Sequence, residues 1–218
     1  MAIRVSSLLA AIAFFLLFAI ASRFTYKNRF KVDYSVKNMF PFEFNYNAAF
    51  HVNLYGNCGI VLSIFASIFF FVFLDTSYHS GYLIACMISG IISAIMVLCL
   101  SFLQPKLYKW HFIFAALLFT SLFMTAALLA IEAFSYWHNA NMAIGGVTFF
   151  VSTLLAIFIF AIAMNPRLTK PVKSEVKVID GVEMNVRPKY VALAFSEWIL
   201  FFVFYLEMIL LFVFSFAL

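Results

Sequence analysis

Charge is what this sequence has least of. Asp, Glu, Lys and Arg make up 11% of the 218 residues, whereas 66% are hydrophobic and 20% aromatic. One soluble core cannot take in that much apolar surface, so lipid must be the main solvent of the chain. The net charge of +5 sits in connecting segments, and no basic run interleaves with exposed aromatics, which excludes a nucleic-acid partner. Cysteine is scarce too: Cys58, Cys86 and Cys99 all fall inside apolar runs, so no disulfide framework holds the loops. No Asn-x-Ser/Thr acceptor occurs. Also missing are a glycine-rich phosphate loop, a zinc-ligand spacing, a Gly-x-Ser-x-Gly elbow and paired acids on one helix face. Glu197 and Glu207 are ten residues apart, and at about 100° per residue they point roughly 80° apart. No catalytic residue can be assigned, and an enzyme is not the leading expectation.

What is present is a set of six apolar runs of membrane-spanning length, at about residues 5–23, 52–74, 82–103, 112–134, 142–163 and 191–217. The first resembles a secretory signal ending in Ala19-Ile20-Ala21, but with Met1 retained it is read as an uncleaved span. The third and fourth are joined only by residues 104–111, so the chain turns straight back across the bilayer, and the remaining spans are expected to pack against this hairpin. The third span carries two small-residue stripes at i, i+4 spacing, Ala85/Ser89/Ser93 and Cys86/Gly90/Ala94, which would let another helix approach closely. Ala116/Thr120 and Ser121/Thr125 offer a matching face on the fourth.

Two loops break the helical pattern. In residues 24–47 the aromatic and branched residues fall on even positions and the charges mostly on odd ones, a period of two that predicts extended strand. Residues 174–187 read as a β-hairpin in which Ile179-Asp180-Gly181 makes a three-residue turn, setting Val178 opposite Val182 and Val176 opposite Met184. Both loops lie on the same side of the membrane. The predicted fold class is therefore an all-α integral membrane protein, one domain over residues 1–218, with six transmembrane helices and a small β-hairpin cap from loops one and five on one side.

Lys and Arg are partitioned sharply between the two sides. Apart from Arg4 they all fall in the first, third and fifth loops, which the positive-inside rule places in the cytosol, with both termini outside or in a lumen. Three acids lie in or near the spans. Glu207 is the deepest, about ten residues from either end of its run, with no intramembrane cation to pair with; it should be protonated or hydrogen-bonded to Thr120, Ser121 or Thr125, in a structural role or a proton or ion relay. Glu132 and Glu197 fall nearer the interfaces, and Trp198 reads as an aromatic-belt anchor. His51 and His111 fall on one side, His79 and His138 on the other, an arrangement that could ligate two stacked haems. It resembles the six-span, two-haem b-type cytochromes that pass electrons from ascorbate, although the residues flanking the histidines differ from that family's motifs.

Gly90, then Phe102-Leu103-Gln104, then His111 entering a span with Ala115-Ala116 resembles the damage-regulated autophagy modulator (DRAM)/Frag/Sfk family of six-span membrane proteins. In the last span Tyr190, Ala194 and Ser196-Glu197-Trp198 follow the family's Glu-Trp pattern. The resemblance singles out Gly90, Phe102, His111, Glu197 and Trp198. It implies cytosolic termini, opposite to the charge rule, and relatives that act in GPI-anchor lipid remodelling and in plasma-membrane signalling. The leading expectation is a non-enzymatic accessory or regulatory subunit, or a modulator of membrane trafficking, without a cofactor. Its partners would be membrane lipids and another membrane protein, in the plasma membrane or in endolysosomal or secretory membranes. A two-haem b-type electron carrier and a lipid-remodelling factor are the alternatives.

Overall fold

The computed structural model describes residues 2–45, 49–74, 80–103, 108–140, 143–168, 175–179, 182–186 and 188–216. Six helices run through it: α1 (Ala2–Phe30), α2 (Leu54–Val72), α3 (Gly81–Phe102), α4 (Tyr108–Ala140), α5 (Ala143–Ala163) and α6 (Ala192–Phe214). All six are long and apolar enough to cross a bilayer, and the chain is a multi-pass integral membrane protein. Large apolar side chains such as Leu9, Phe65, Val147 and Leu154 stand exposed on the outside of the bundle, where lipid is their solvent.

The interior is organised around α6 rather than around the α3–α4 hairpin. In α6 61% of the membrane-crossing stretch is buried, against 44% in α3 and in α4, and α6 packs on α1, α3, α4 and α5. The reason is side-chain size. The small stripes of α3 bring α2 and α4 close, whereas the space at the centre is filled by bulky Phe201, Phe204, Met208, Leu211 and Phe214 from α6.

The two stripes of α3 serve different neighbours. Ser89 and Ser93 face α4, where Ser89 Oγ lies 2.8 Å from Thr125 Oγ1 and Ser93 Oγ donates to Ser121 Oγ at 2.8 Å. Gly90 faces α2, and a Cβ there would overlap the ring of Phe71. Cys86 and Ala94 are buried, Ala85 is partly exposed, and on α4 Ala116 and Thr120 point outward instead of joining the seam. A second close approach comes from Gly59 of α2, where a Cβ would sit 2.8 Å from the backbone nitrogen of Phe18 on α1. Ser63, one turn on, donates to the Ala11 carbonyl at 2.6 Å and so accepts from the Tyr205 hydroxyl at 2.6 Å, tying α1, α2 and α6 together.

The first loop corrects the strand expectation. α1 continues helically to Phe30, with Lys27 and Arg29 in its last turn, where cations suit the helix dipole, and Tyr26 against Phe30 one turn apart at 4.7 Å between centroids. Lys31, in the left-handed region at φ 55°, closes the helix by donating its N–H to the Lys27 carbonyl at 2.9 Å. Pro41–Asn45 is a buried turn of 3-10 helix, and Glu43 reaches back to accept the Phe40 N–H at 3.0 Å, as an acid at the third position of a helix does. Of the even-position residues, Tyr34, Phe40, Phe42 and Phe44 turn inward from turn and coil while Phe24 and Phe30 of α1 stand exposed, and among the described residues the first loop forms no strand to share a β-cap. In the fifth loop, β1 (Glu175–Ile179) and β2 (Val182–Val186) pair antiparallel with Ile179 opposite Val182, Val178 opposite Glu183 and Val176 opposite Asn185. That register leaves two residues between the strands instead of the expected three, so the valines do not face the partners assigned above. Asp180 and Gly181 lie outside the described residues.

Candidate functional site

The densest group of buried polar side chains lies at one end of the bundle, where α1, α3 and α5 finish and α2, α4 and α6 begin. His111, in the first turn of α4, and Glu197, in the second turn of α6, share a hydrogen bond of 2.7 Å between Nε2 and Oε1. Glu197 is 0% exposed. It is enclosed within the protein, beneath the folded first loop. Phe40 and Phe42 set their rings edge-on to the imidazole at 5.6 and 5.3 Å. The other ring nitrogen, Nδ1, is buried without a hydrogen-bond partner. Glu197 Oε2 is buried without a hydrogen-bond partner, and the charge of Glu43 acts on the same carboxyl.

Trp198 is built into the same end and is not a belt residue: it is 3% exposed. Its indole N–H is shared between the Tyr34 hydroxyl and the Met39 carbonyl, each at 3.0 Å, and Tyr34 in turn donates to the Phe40 carbonyl at 2.7 Å. Phe18, Phe44 and Phe201 surround the indole. Burial pushes the Tyr34 hydroxyl well above its ordinary pKa, so it remains a neutral donor. Two further bonds close the loop onto α6: Val191 N–H to the Lys37 carbonyl at 2.9 Å, and the Asn38 amide to the Pro188 carbonyl at 3.0 Å. Alongside, the Asn53 amide donates to Ser22 Oγ at 2.9 Å and to Asn45 Oδ1 at 3.2 Å, binding the ends of α1 and α2 to the same cover. The outer side of the cover carries exposed Lys27, Lys31 and Lys37, with Lys27 paired to Asp33 at 3.0 Å.

The other singled-out residues are placed as follows. Phe102 stacks on Phe50 at 6.2 Å between centroids, at the edge of this end. Glu132, near the far end of α4, is buried and accepts a hydrogen bond from Ser80 just ahead of α3. Glu207 is 1% exposed, and its Oε1 has no partner. Ser121 and Thr125 are committed to α3, and Thr120 donates to the Ala116 carbonyl of its own helix, so none of the three holds the acid as expected. His51 is exposed, His138 stacks outside on Phe134, and His79 lies outside the described residues. Nε2 of His111 is engaged by Glu197 inside an aromatic enclosure. Among the described residues no cluster of His, Cys, Asp and Glu could hold a metal ion. A groove of about 620 Å³ between α4 and α5, lined by Phe123, Ala127, Phe134, Phe149 and Phe160 among others, is apolar and touches none of these polar groups.

Tyr34, Glu43, Asn45 and Asn53 were not singled out from the sequence. The signal that could have found Glu43 is local: it is an acid between Phe42 and Phe44, three residues after Phe40, in a mostly basic loop. Compared with family models, with curated proteins and with solved structures, the chain matches none.

Proposed function

We propose that the chain is a non-enzymatic accessory or regulatory membrane protein that binds another membrane protein through the cover formed by its first loop. The observation that carries this reading is the way the loop is built. Residues 34–45 are locked to α6 by Trp198, Val191 and the enclosure of His111, while Lys27, Lys31 and Lys37 remain exposed beside them. A loop that only connected two spans would need no such anchoring. A fixed, basic surface at the membrane face suits an acidic segment of a partner held in the same bilayer. The test is the triple substitution of Lys27, Lys31 and Lys37 by Gln. The folded protein should persist in the membrane while the complex co-isolated from native membranes is lost in a salt-sensitive way. A complex retained in full would overturn the assignment.

A second reading rests on the resemblance to the DRAM/Frag/Sfk family, with lipid handling as the activity. Its support is the hydrogen bond between His111 and Glu197: two positions that the resemblance selects, 86 residues apart, meet at one point with Trp198 alongside. In that case the cover faces a lumen, and loss of the chain should alter the lipid form of GPI-anchored proteins at the cell surface.

A further inference from the structure

The rest of the bundle encloses α6 on every face but one. Its neighbours follow one another around it as α1, α2, α3, α4 and α5, each packed on the next, and the open face lies between the two ends of that series, α1 and α5. Large side chains stand exposed there at Phe202, Leu206, Ile209, Val213 and Phe216, the last just beyond the helix. Steps of four, three, four and three residues make the seam of a left-handed helix pair, and half-buried Phe195 and Ile199 continue the same steps toward the cover. The positions between them are closed: Phe201, Phe204 and Met208 are 0% exposed, and Trp198 and Tyr205, at the margin, stack on Phe18 and Phe15 of α1. We propose that this seam is the seat of one transmembrane helix of another protein, apolar through the bilayer and acidic where it emerges at the covered end. The proposal rests on the reading of the chain as a partner-binding membrane protein and adds where in the bilayer the partner sits.

Three features select that occupant over lipid or a second copy. The first is width. At about 100° per residue the five exposed positions lie within an arc of roughly 80°, whereas on α5 Ile144, Val147, Phe150, Ile157 and Phe160 spread over roughly 200°, as a surface bathed by lipid does. An opening that narrow, floored by a helix that is otherwise interior, admits a single helix. The second is length. From Phe195 to Phe216 the seam rises about 32 Å by the α-helical rise per residue, the full thickness of the hydrocarbon core, while an acyl chain occupies one leaflet. The third is charge. The helices that bound the slot carry exposed cations at the covered end, Arg23 on α1, Arg167 just after α5 and Lys189 just before α6, and among the described side chains no exposed Asp, Glu, Lys or Arg marks its other end. A partner helix with Asp or Glu at the covered end matches that pattern. A second copy does not: it would bring the same cations, and its α6, the floor of its own slot, cannot enter another.

Site-directed photocrosslinking of the full chain in its native membranes tests this. A benzophenone side chain is placed singly at Phe202, Leu206, Ile209 or Val213, and at Leu9 of α1 and Leu154 of α5 as lipid-facing references; all of these side chains are exposed, so the replacements leave the interior undisturbed. The seam positions should yield one and the same protein adduct, about tenfold or more above the references, because a seated helix is present at the effective concentration of a bound partner and lipid-facing positions meet proteins only by collision. Mass spectrometry of the adduct should place the crosslinks on one face of a single apolar span with Asp or Glu at its covered end. Adducts with lipid alone, with a second copy of the chain or with a scatter of proteins, or equal yields at Leu154, would each overturn the proposal. The lysine substitutions that test the cover are read separately. A complex and a seam adduct that both survive the change of Lys27, Lys31 and Lys37 to Gln would sink the cover and leave the helix seat standing, and a complex lost with those lysines but giving no seam adduct would do the reverse.

Discussion

His111 and Glu197 make a buried pair whose energetics depend on keeping both members. An ordinary hydrogen bond between membrane helices contributes only about 0.6 kcal/mol, because the unfolded chain in lipid finds other partners. This pair differs because Glu197 is fully enclosed and already has one oxygen unsatisfied, so removing the imidazole leaves the whole carboxyl orphaned. His111→Ala and Glu197→Ala should therefore each destabilise by about 3 kcal/mol, nearer the cost of breaking a buried pair than that of losing a surface one. Replacing both by apolar residues, His111→Leu with Glu197→Met, should recover most of that loss. Unfolding titrations in mixed micelles give the three values, and a double substitution as damaging as the sum of the singles would refute the coupling. The sequence shows that a histidine and a Glu-Trp pair open spans four and six, but not that they touch. Only the fold brings α4 and α6 together at this end, and it is the aromatic cover, with Phe40 and Phe42, that turns two interfacial residues into interior ones.

At the scale of elements, the helices were legible because an apolar run of about 20 residues has one inexpensive conformation in lipid, with every backbone group satisfied internally. The stripes on α3 were legible for the same reason, as small residues at helical spacing, but their partners were not. Gly90 shows why: its neighbour is the Phe71 ring of α2, a large residue that no rule of matching small faces selects. The contact supports a specific expectation. Gly90→Leu should strip most folded protein from the membrane, and Gly90→Ala should do so in part, since even one methyl meets the ring. Combining Gly90→Ala with Phe71→Ala should restore much of the loss by opening the space. Equal yields of wild type and Gly90→Leu in a size-exclusion assay would show that the α2–α3 contact is not required. The extended first loop was misread because alternation of aromatic and charged residues is also what an amphipathic helix end followed by a buried turn produces over a short window. Lys31 at positive φ and the Phe40–Glu43 bond, which separate the two, are features of backbone conformation rather than of pattern.

For the whole molecule, the decisive variable is which way the bundle sits. Arg23, Lys27, Lys31, Lys37, Lys109, Arg167 and Lys189 are exposed at the covered end, whereas on the described side chains the opposite end offers Arg4 alone. Basic residues this close to the spans are held on the cytosolic side during insertion, and there anionic headgroups add about 1 kcal/mol for each. The covered end should accordingly face the cytosol. A single cysteine at Lys37 reports it, because that position is exposed while Cys86 is buried and Cys58 and Cys99 lie within the apolar helices α2 and α3. An impermeant thiol reagent applied to intact cells, or to sealed vesicles of known orientation, should leave Lys37→Cys unlabelled until the membrane is breached. Protection would join the basic cover to cytosolic partners and place the Glu132 end on the outer or luminal side. Labelling of the intact preparation would mean that the anchored loop overrides the charge bias. It would turn the His111–Glu197 enclosure toward the lumen and favour lipid handling over partner binding.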